Sequence, residues 1–458
     1  MNNTPDAFTS VADLKTWLAD QPSNTPEDPY EIALNVEDLT RESLEAALGD
    51  KYVSVDLSGS SLTAIGDQVF EGCRSLTGVT IPNSVKGIGY MAFSKCECLS
   101  DITIPEGVTV IESYAFEGCT GLTAFTIPSG VTVIETAVFL GCGSLKSAVI
   151  PDGVTALSEY AFAWCTRLTA ITIPPRVASI GSYAFSDCYN LTSIEVHPDN
   201  PSYSSVDGVL YNKDKTVLIK YPERKPDATF AIPAGVVRIE NRAFSDCVNL
   251  TGITIPNSVN GIGDFAFSGC RNLAGVTLPR GVNDIGEGAF YQCTTLRSVI
   301  IPNSVISIGK EAFANTGLIS VTLPDSLITI GKEAFSGCTS LTGVTIPKGV
   351  TVIREGAFSG CISLGYLTIP PSVSRIGDQA FHGCGSLRTI VIPEGVSHIG
   401  KYAFANTSLT SVTFQGTISS ADFLSGAFTD DLRDVFYADD PINGTPGTYT
   451  NTTWRKQA

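Results

Sequence analysis

Histidine, positive charge and long apolar runs are all scarce in this sequence, and each scarcity removes a class of function. Only three histidines occur in 458 residues. His382 and His398 fall at different phases of the sequence pattern described below, so they do not form a shared metal or proton site, and no cofactor is expected. Lysine and arginine number 29 against 46 aspartates and glutamates, a net charge of −17. Phosphate binding needs clustered cations, so nucleic acid is not an expected partner, and an anionic membrane surface is disfavoured for the same reason. No stretch of about 18 apolar residues is present, so membrane insertion by a helix is excluded. The start, MNNTPDAFTS, lacks the basic residues and apolar run of an export signal. Carboxylates are scattered, with no paired setting that would shift a pKa. One stretch, Gly261-Ile262-Gly263-Asp264-Phe265-Ala266, fits a nucleotide-loop pattern, but that loop must follow a strand and open a long helix. The same glycines recur as Gly87 and Gly89, which makes them turn residues. No enzyme activity is expected.

What the chain has instead is a period. Phe70, Phe93, Phe116, Phe139, Phe162 and Phe185 stand 23 residues apart, as do Phe244, Phe267, Phe290 and Phe313. After one step of 22, Phe335, Phe358, Phe381 and Phe404 resume the interval. Self-similarity of this length marks a solenoid whose units bury their apolar faces only against their neighbours. In the unit LTGVTIPNSVKGIGYMAFSKC, Val79 and Ile81 are two apart, the period of a strand with one face inward. Pro82 ends that strand because it offers no N–H to a ladder. Gly89 is expected to permit an unusual backbone turn, and Ala92-Phe93 to form a turn or a short 3₁₀ segment. Stacked units predict a mainly β repeat solenoid, with a parallel sheet on one face and irregular arcs opposite. A lone unit is not expected to fold. Ordering its backbone costs about 1–2 kcal/mol per residue, against about 1.5–3 for each large side chain buried.

The repeated TIPxxVxxIGxxAFxxC motif, between about Tyr52 and Phe414, resembles the BspA-type leucine-rich repeat family of surface proteins from host-associated anaerobic bacteria, spirochaetes among them. The resemblance implies a horseshoe-like or superhelical leucine-rich-repeat coil, display outside the cell or on its surface, and adhesion to host or microbial surfaces. It extends to a hairpin-like stretch carried by Asn200, Pro201, Tyr203, Asp207, Gly208 and Tyr211.

The chain divides accordingly. Residues 1–50 read as a helix-strand-helix cap: Ser10 to Asp20 is a helix capped by Ser10, Tyr30 to Val36 alternates as a strand, and Glu37 to Leu48 forms a second helix ended by Gly49. From Met1 to Leu57, twelve acidic residues oppose three basic ones, a net of −9. Such a cap covers the open edge of the first coil. A first run of repeats covers 51–196, and a β-hairpin insertion, 197–227, takes up the long step from Phe185 to Phe244. Its turn is expected within Asn212 to Lys215, and it serves either as a bridge between the runs or as a binding protrusion. The second run spans 228–414, and a β-rich C-terminal cap and tail, 415–458, offers Phe423, Phe428, Phe436 and Trp454 as apolar contacts. Asn451-Thr452-Thr453 is a glycosylation sequon by pattern alone. All thirteen cysteines except Cys98 lie three residues after a marker phenylalanine. Thr316 and Thr407 take the same slot, which suggests a buried ladder of free thiols in preference to disulfides or zinc.

Two surfaces are candidates for binding. Outward positions on the sheet are mostly threonine, from Thr80 to Thr413, a strip that favours strand formation and can also accept an extended chain or glycan. Two residues before the marker phenylalanine, the first run carries Tyr114, Tyr160 and Tyr183, with Trp164 nearby. These four either cover neighbouring turns or form an adhesive patch. The function expected is a non-enzymatic surface binding protein for a protein or glycan ligand of the extracellular matrix or cell surface. The alternative is an envelope scaffold acting through self-association or protein partners.

Overall fold

The computed structural model describes residues 7–429, 432–450 and 454–457; the sequon at Asn451 lies outside them. The chain folds as two compact units, Met1–Asp214 with Pro222–Lys225, and Lys215–Tyr221 with Pro226–Ala458. Both are β-solenoids built from one coil.

The coil from Leu76 shows how the consensus works. Its strand, Leu76–Thr80, pairs in parallel with Val53–Asp56 before it and Asp101–Thr103 after it. The Pro82 carbonyl then accepts from Val85 N–H (3.1 Å) and closes a tight turn. A two-residue strand, Gly87–Ile88, follows and pairs with Ala64–Ile65 and Val110–Ile111. Further turns of the same size close between Gly89 and Ala92, Phe93 and Cys96, and Cys96 and Leu99. The far arcs are therefore more regular than expected: they carry a second parallel ladder. In the second unit that ladder runs from Val217–Lys220 and Arg238–Ile239 to His398–Ile399, one short strand per coil.

Inside, the marker phenylalanines form a column. Phe93 and Phe116 stack with centroids 5.3 Å apart and planes 2° from parallel; Phe335 and Phe358 lie at 5.2 Å and 0°. Tyr221 takes the first place in the second unit's column, stacked on Phe244 at 5.1 Å, and Phe428 takes the last, at 4.8 Å from Phe404. Around the column sit the leucine, valine, isoleucine and alanine positions of the motif, buried almost without exception.

The cysteine slot is a hydrogen-bonding position. In most coils the thiol donates to the phenylalanine carbonyl of the preceding coil, as from Cys119 to Phe93 (3.1 Å) and from Cys293 to Phe267 (3.1 Å), and Cys247 faces the Tyr221 carbonyl in the same way (3.8 Å). Burial pushes the Cys142 and Cys384 thiols up to about 12. Thr316 and Thr407 differ: each hydroxyl donates to its own coil's phenylalanine carbonyl, Phe313 (2.9 Å) and Phe404 (2.8 Å). In both coils the leucine follows one residue sooner than elsewhere, at Leu318 and Leu409.

Glycine 89 is needed for another reason than the one its sequence suggests. Its φ is not positive; instead, a Cβ there would meet the Asp67 amide nitrogen and Gly66 carbonyl carbon, each at 2.8 Å. Gly331 and Gly377 are confined in the same way by the backbone of the coil below.

The ends are closed. In the first unit the helix Val11–Ala19 is capped by Ser10, whose hydroxyl accepts from Asp13 N–H. It buries Leu14 and Leu18 and sets Trp17 against Phe8 and Tyr30. The second helix is Arg41–Leu48 and begins four residues later than expected. Val36 is tied to the first coil by its N–H to Ser60 Oγ (3.0 Å), and the Asp38 carboxylate takes Leu39 N–H (2.8 Å), which holds this stretch out of helix. The hairpin pairs Tyr203–Val206 with Val209–Asn212 across Asp207-Gly208, both at positive φ; the turn expected within Asn212 to Lys215 is also there, at Lys213-Asp214, ahead of the strand Val217–Lys220. Buried Asn200 donates to the carbonyls of Pro174 and Val177 and accepts from Ser202 and Tyr203 N–H, which seats the hairpin on the first unit's last coil. In the second unit Gly447–Thr450 pairs antiparallel with Ser411–Phe414, the helix Leu432–Phe436 packs beneath, and Phe414, Phe423, Phe436 and Tyr449 interlock. Trp454 is buried as well.

Two outcomes test this interior. Phe290→Ala should cost about 3–5 kcal/mol in urea denaturation, the usual range for a buried ring; a loss under about 1 kcal/mol would show that the column does not hold the coils. The Cys142 and Cys384 thiols give a pH signature. Below about pH 9 they are protonated folded and unfolded alike; between about 9 and 12 only the unfolded chain ionises. Stability should therefore fall as pH rises through that window, and fall less steeply in a Cys142→Ala, Cys384→Ala variant.

Candidate functional site

The row two residues before the marker phenylalanine is set by backbone geometry. Met91, Tyr114, Ala137, Tyr160 and Tyr183 all have φ between 53° and 62°, and Arg242, Phe265, Glu311, Glu333, Gln379 and Tyr402 repeat this in the second unit. A second left-handed residue follows each phenylalanine by two, at Lys95, Trp164 and Asp187 or as Gly118 and Gly141. This alternation points successive amides along one direction. Tyr160 N–H donates to Ser182 (3.1 Å), Phe162 to Ala184 (2.9 Å) and Trp164 to Ser186 (2.9 Å), each acceptor a carbonyl of the next coil. Left-handed geometry costs a non-glycine residue about 1–2 kcal/mol; three hydrogen bonds per coil, each a net of about 0.5–1.5 kcal/mol, offset it.

Side chains in this row are thus held on a rigid, strained backbone. Tyr160 and Tyr183 stack at 5.1 Å with planes 16° apart, and Tyr160 remains 37% exposed. Trp164, 50% exposed, meets the edge of Tyr189 at 6.0 Å; Tyr189 is 39% exposed. Tyr114 stands apart, separated from Tyr160 by the buried Ala137, and packs against Tyr90 at 5.9 Å. The four aromatic residues singled out by sequence therefore fall into three ring pairs, two of which are completed by residues the spacing argument missed. Tyr90 lies three residues before its phenylalanine and Tyr189 four after, so neither shares the stripe's period; only stacking coils brings them there. The Tyr189 hydroxyl donates to Asp187 (3.0 Å), which brings a carboxylate to the patch.

Among the described residues, no group of three or more His, Cys, Asp or Glu side chains could hold a metal ion, and no helix is long and apolar enough to cross a membrane. The glycines of 261–266 lie on the second ladder and its turn: a Cβ on Gly263 would meet the Asn241 amide nitrogen at 2.5 Å.

With this geometry in place, the sequence profile of the BspA type leucine rich repeat region matches residues 50–169, 132–215, 227–327 and 306–431. The chain belongs to the BspA-type leucine-rich repeat family. It is similar to the crystal structure of a leucine rich cell surface protein from Faecalibacterium prausnitzii A2-165, at 36% identity over 74% of this chain and 82% of that one, with a TM-score of 0.55. A leucine-rich repeat protein from Eubacterium ventriosum ATCC 27560 matches at 27% identity over 88% of both chains, with a TM-score of 0.49. The pneumococcal vaccine antigen PcpA shares the fold at 22% identity over 82% of this chain and 85% of that one, with a TM-score of 0.52. No curated protein matches.

Proposed function

We propose that this is a non-enzymatic binding protein of the cell exterior, and that the aromatic flank of its first unit, Tyr114, Tyr160, Trp164 and Tyr183 with Tyr90 and Tyr189, engages protein or glycan ligands of the extracellular matrix or of other cells. The observation that carries this reading is the rigid pair Tyr160–Tyr183 beside Trp164–Tyr189. Rings already paired, with Tyr160, Trp164 and Tyr183 fixed on left-handed backbone, lose little rotamer freedom on binding, and tyrosine and tryptophan dominate interface energetics. The flank offers flat apolar faces edged by hydroxyls and the Asp187 carboxylate, chemistry that suits a sugar face as well as a protein side chain. Family membership, and the cell-surface relative from Faecalibacterium prausnitzii, support display outside the cell. The divisions at 51–196, 197–227 and 228–414 fit this role, with the hairpin as a lid on the first run.

Screening the full chain against immobilised matrix proteins and glycans, with Tyr160→Ser, Tyr183→Ser alongside, tests the proposal. At least one ligand should bind the parent chain, and the double variant should lose tenfold or more of that affinity while its circular dichroism is unchanged. Equal binding by both removes the flank from the site. Specific self-association by light scattering, without any ligand, would favour an envelope scaffold.

A further inference from the structure

Where the outward threonine strip crosses the second unit, it carries a groove that the aromatic flank does not share. A cavity of about 830 Å³ opens over the strands Gly252–Thr254, Gly275–Thr277 and Ser298–Ile300 and the proline turns that follow them. Three features single it out. The residue after the turn proline is Asn257, Arg280 and Asn303 in consecutive coils, so an amide, a guanidinium and an amide stand in one row. All three are exposed, and none makes a side-chain hydrogen bond or ion pair among the described residues. No carboxylate lines the cavity, although the chain's net charge is −17, and the same position in the next coil is Asp325. On the floor, where most coils present threonine, Ile300 is 62% exposed beside Thr254 and Thr277.

From this we infer that the groove binds an extended peptide segment bearing an acidic residue next to an aliphatic one. Coils spaced about 4.8 Å apart set Asn257 and Asn303 roughly 10 Å from each other, the span of three extended residues at about 3.3 Å each. An asparagine amide can accept from a peptide N–H and donate to its carbonyl, so the two asparagines grip the backbone at either end. Arg280, midway, meets the carboxylate with its planar fork. Ile300 covers the aliphatic side chain. A peptide suits the floor better than a glycan, because no aromatic ring lines the cavity for a sugar to stack on.

Selection of phage-displayed random heptamers on the full chain, followed by fluorescence polarisation of the enriched peptides, decides this. Enriched sequences should carry Asp or Glu beside Val, Ile or Leu. Their affinity should fall tenfold or more in Arg280→Gln and in Ile300→Asp, weaken with added salt, and be untouched by Tyr160→Ser, Tyr183→Ser, which separates this site from the aromatic flank. No enrichment overturns the inference. So do enriched peptides indifferent to Arg280→Gln, or an acidic polysaccharide such as heparin that binds through Arg280 while no peptide does.

Discussion

Each coil hands its amide hydrogens to the next through the turn that holds the marker phenylalanine, and the rest of the structure follows from that exchange. Met91, Phe93 and Lys95 donate to the carbonyls of Ser113, Ala115 and Glu117, and the pattern repeats along both units. It requires left-handed backbone at alternate positions, including bulky Tyr114, Phe265 and Trp164. That conformation is unfavourable in isolation and is held by the neighbour's carbonyls, the thiol bond across coils and the stacked rings. A coil without a neighbour would keep the strain and lose the compensation. Hence the end coils are covered: Tyr30–Ala33 and two helices at one end of the first unit, the Asn200 hairpin at its other, and the strand Gly447–Thr450 with its aromatic cluster at the end of the second.

A core so uniform frees the surface to vary. The row before the phenylalanine runs from Tyr160 to Gly356 and Gln379 without change in backbone angle, because the hydrogen bonds are made by main chain alone. The outward sheet row likewise accepts Thr277, Ile300 or Glu195. Chemistry can therefore be placed at chosen coils at little cost to the fold, and the aromatic flank and the Arg280 groove are two such placements on separate units. On the function proposed above, specificity resides in these substitutions against a constant frame.

The phenylalanine column, the strand ending at Pro82 and the buried cysteine slot were legible in sequence because each depends on local pattern and fixed spacing. What escaped depends on the neighbouring coil. Gly89 looked like a turn glycine, yet it is small because the backbone of the coil below lies against it. Gly87–Ile88 is too short to register as a strand until a ladder is built from it. Tyr221 did not read as a column member because it is not phenylalanine, although it stands 23 residues before Phe244. Of the flank, Tyr160 and Tyr183 share a stripe and were visible; Tyr90 and Tyr189 reach it only through stacking, and Arg280 stood out only once its coil neighbours and the missing carboxylates were seen together.

Amide hydrogen exchange of the full chain tests coil-to-coil donation most directly. The amides of Phe267, Phe290, Phe335 and Phe358, each bonded to the alanine carbonyl of the following coil at 2.8 Å, should be among the slowest to exchange. They should also do so at similar rates, since interior coils open only together. Exchange of these four amides as fast as that of exposed turn residues such as Asn257 and Asn303 would contradict a stack held by its neighbours.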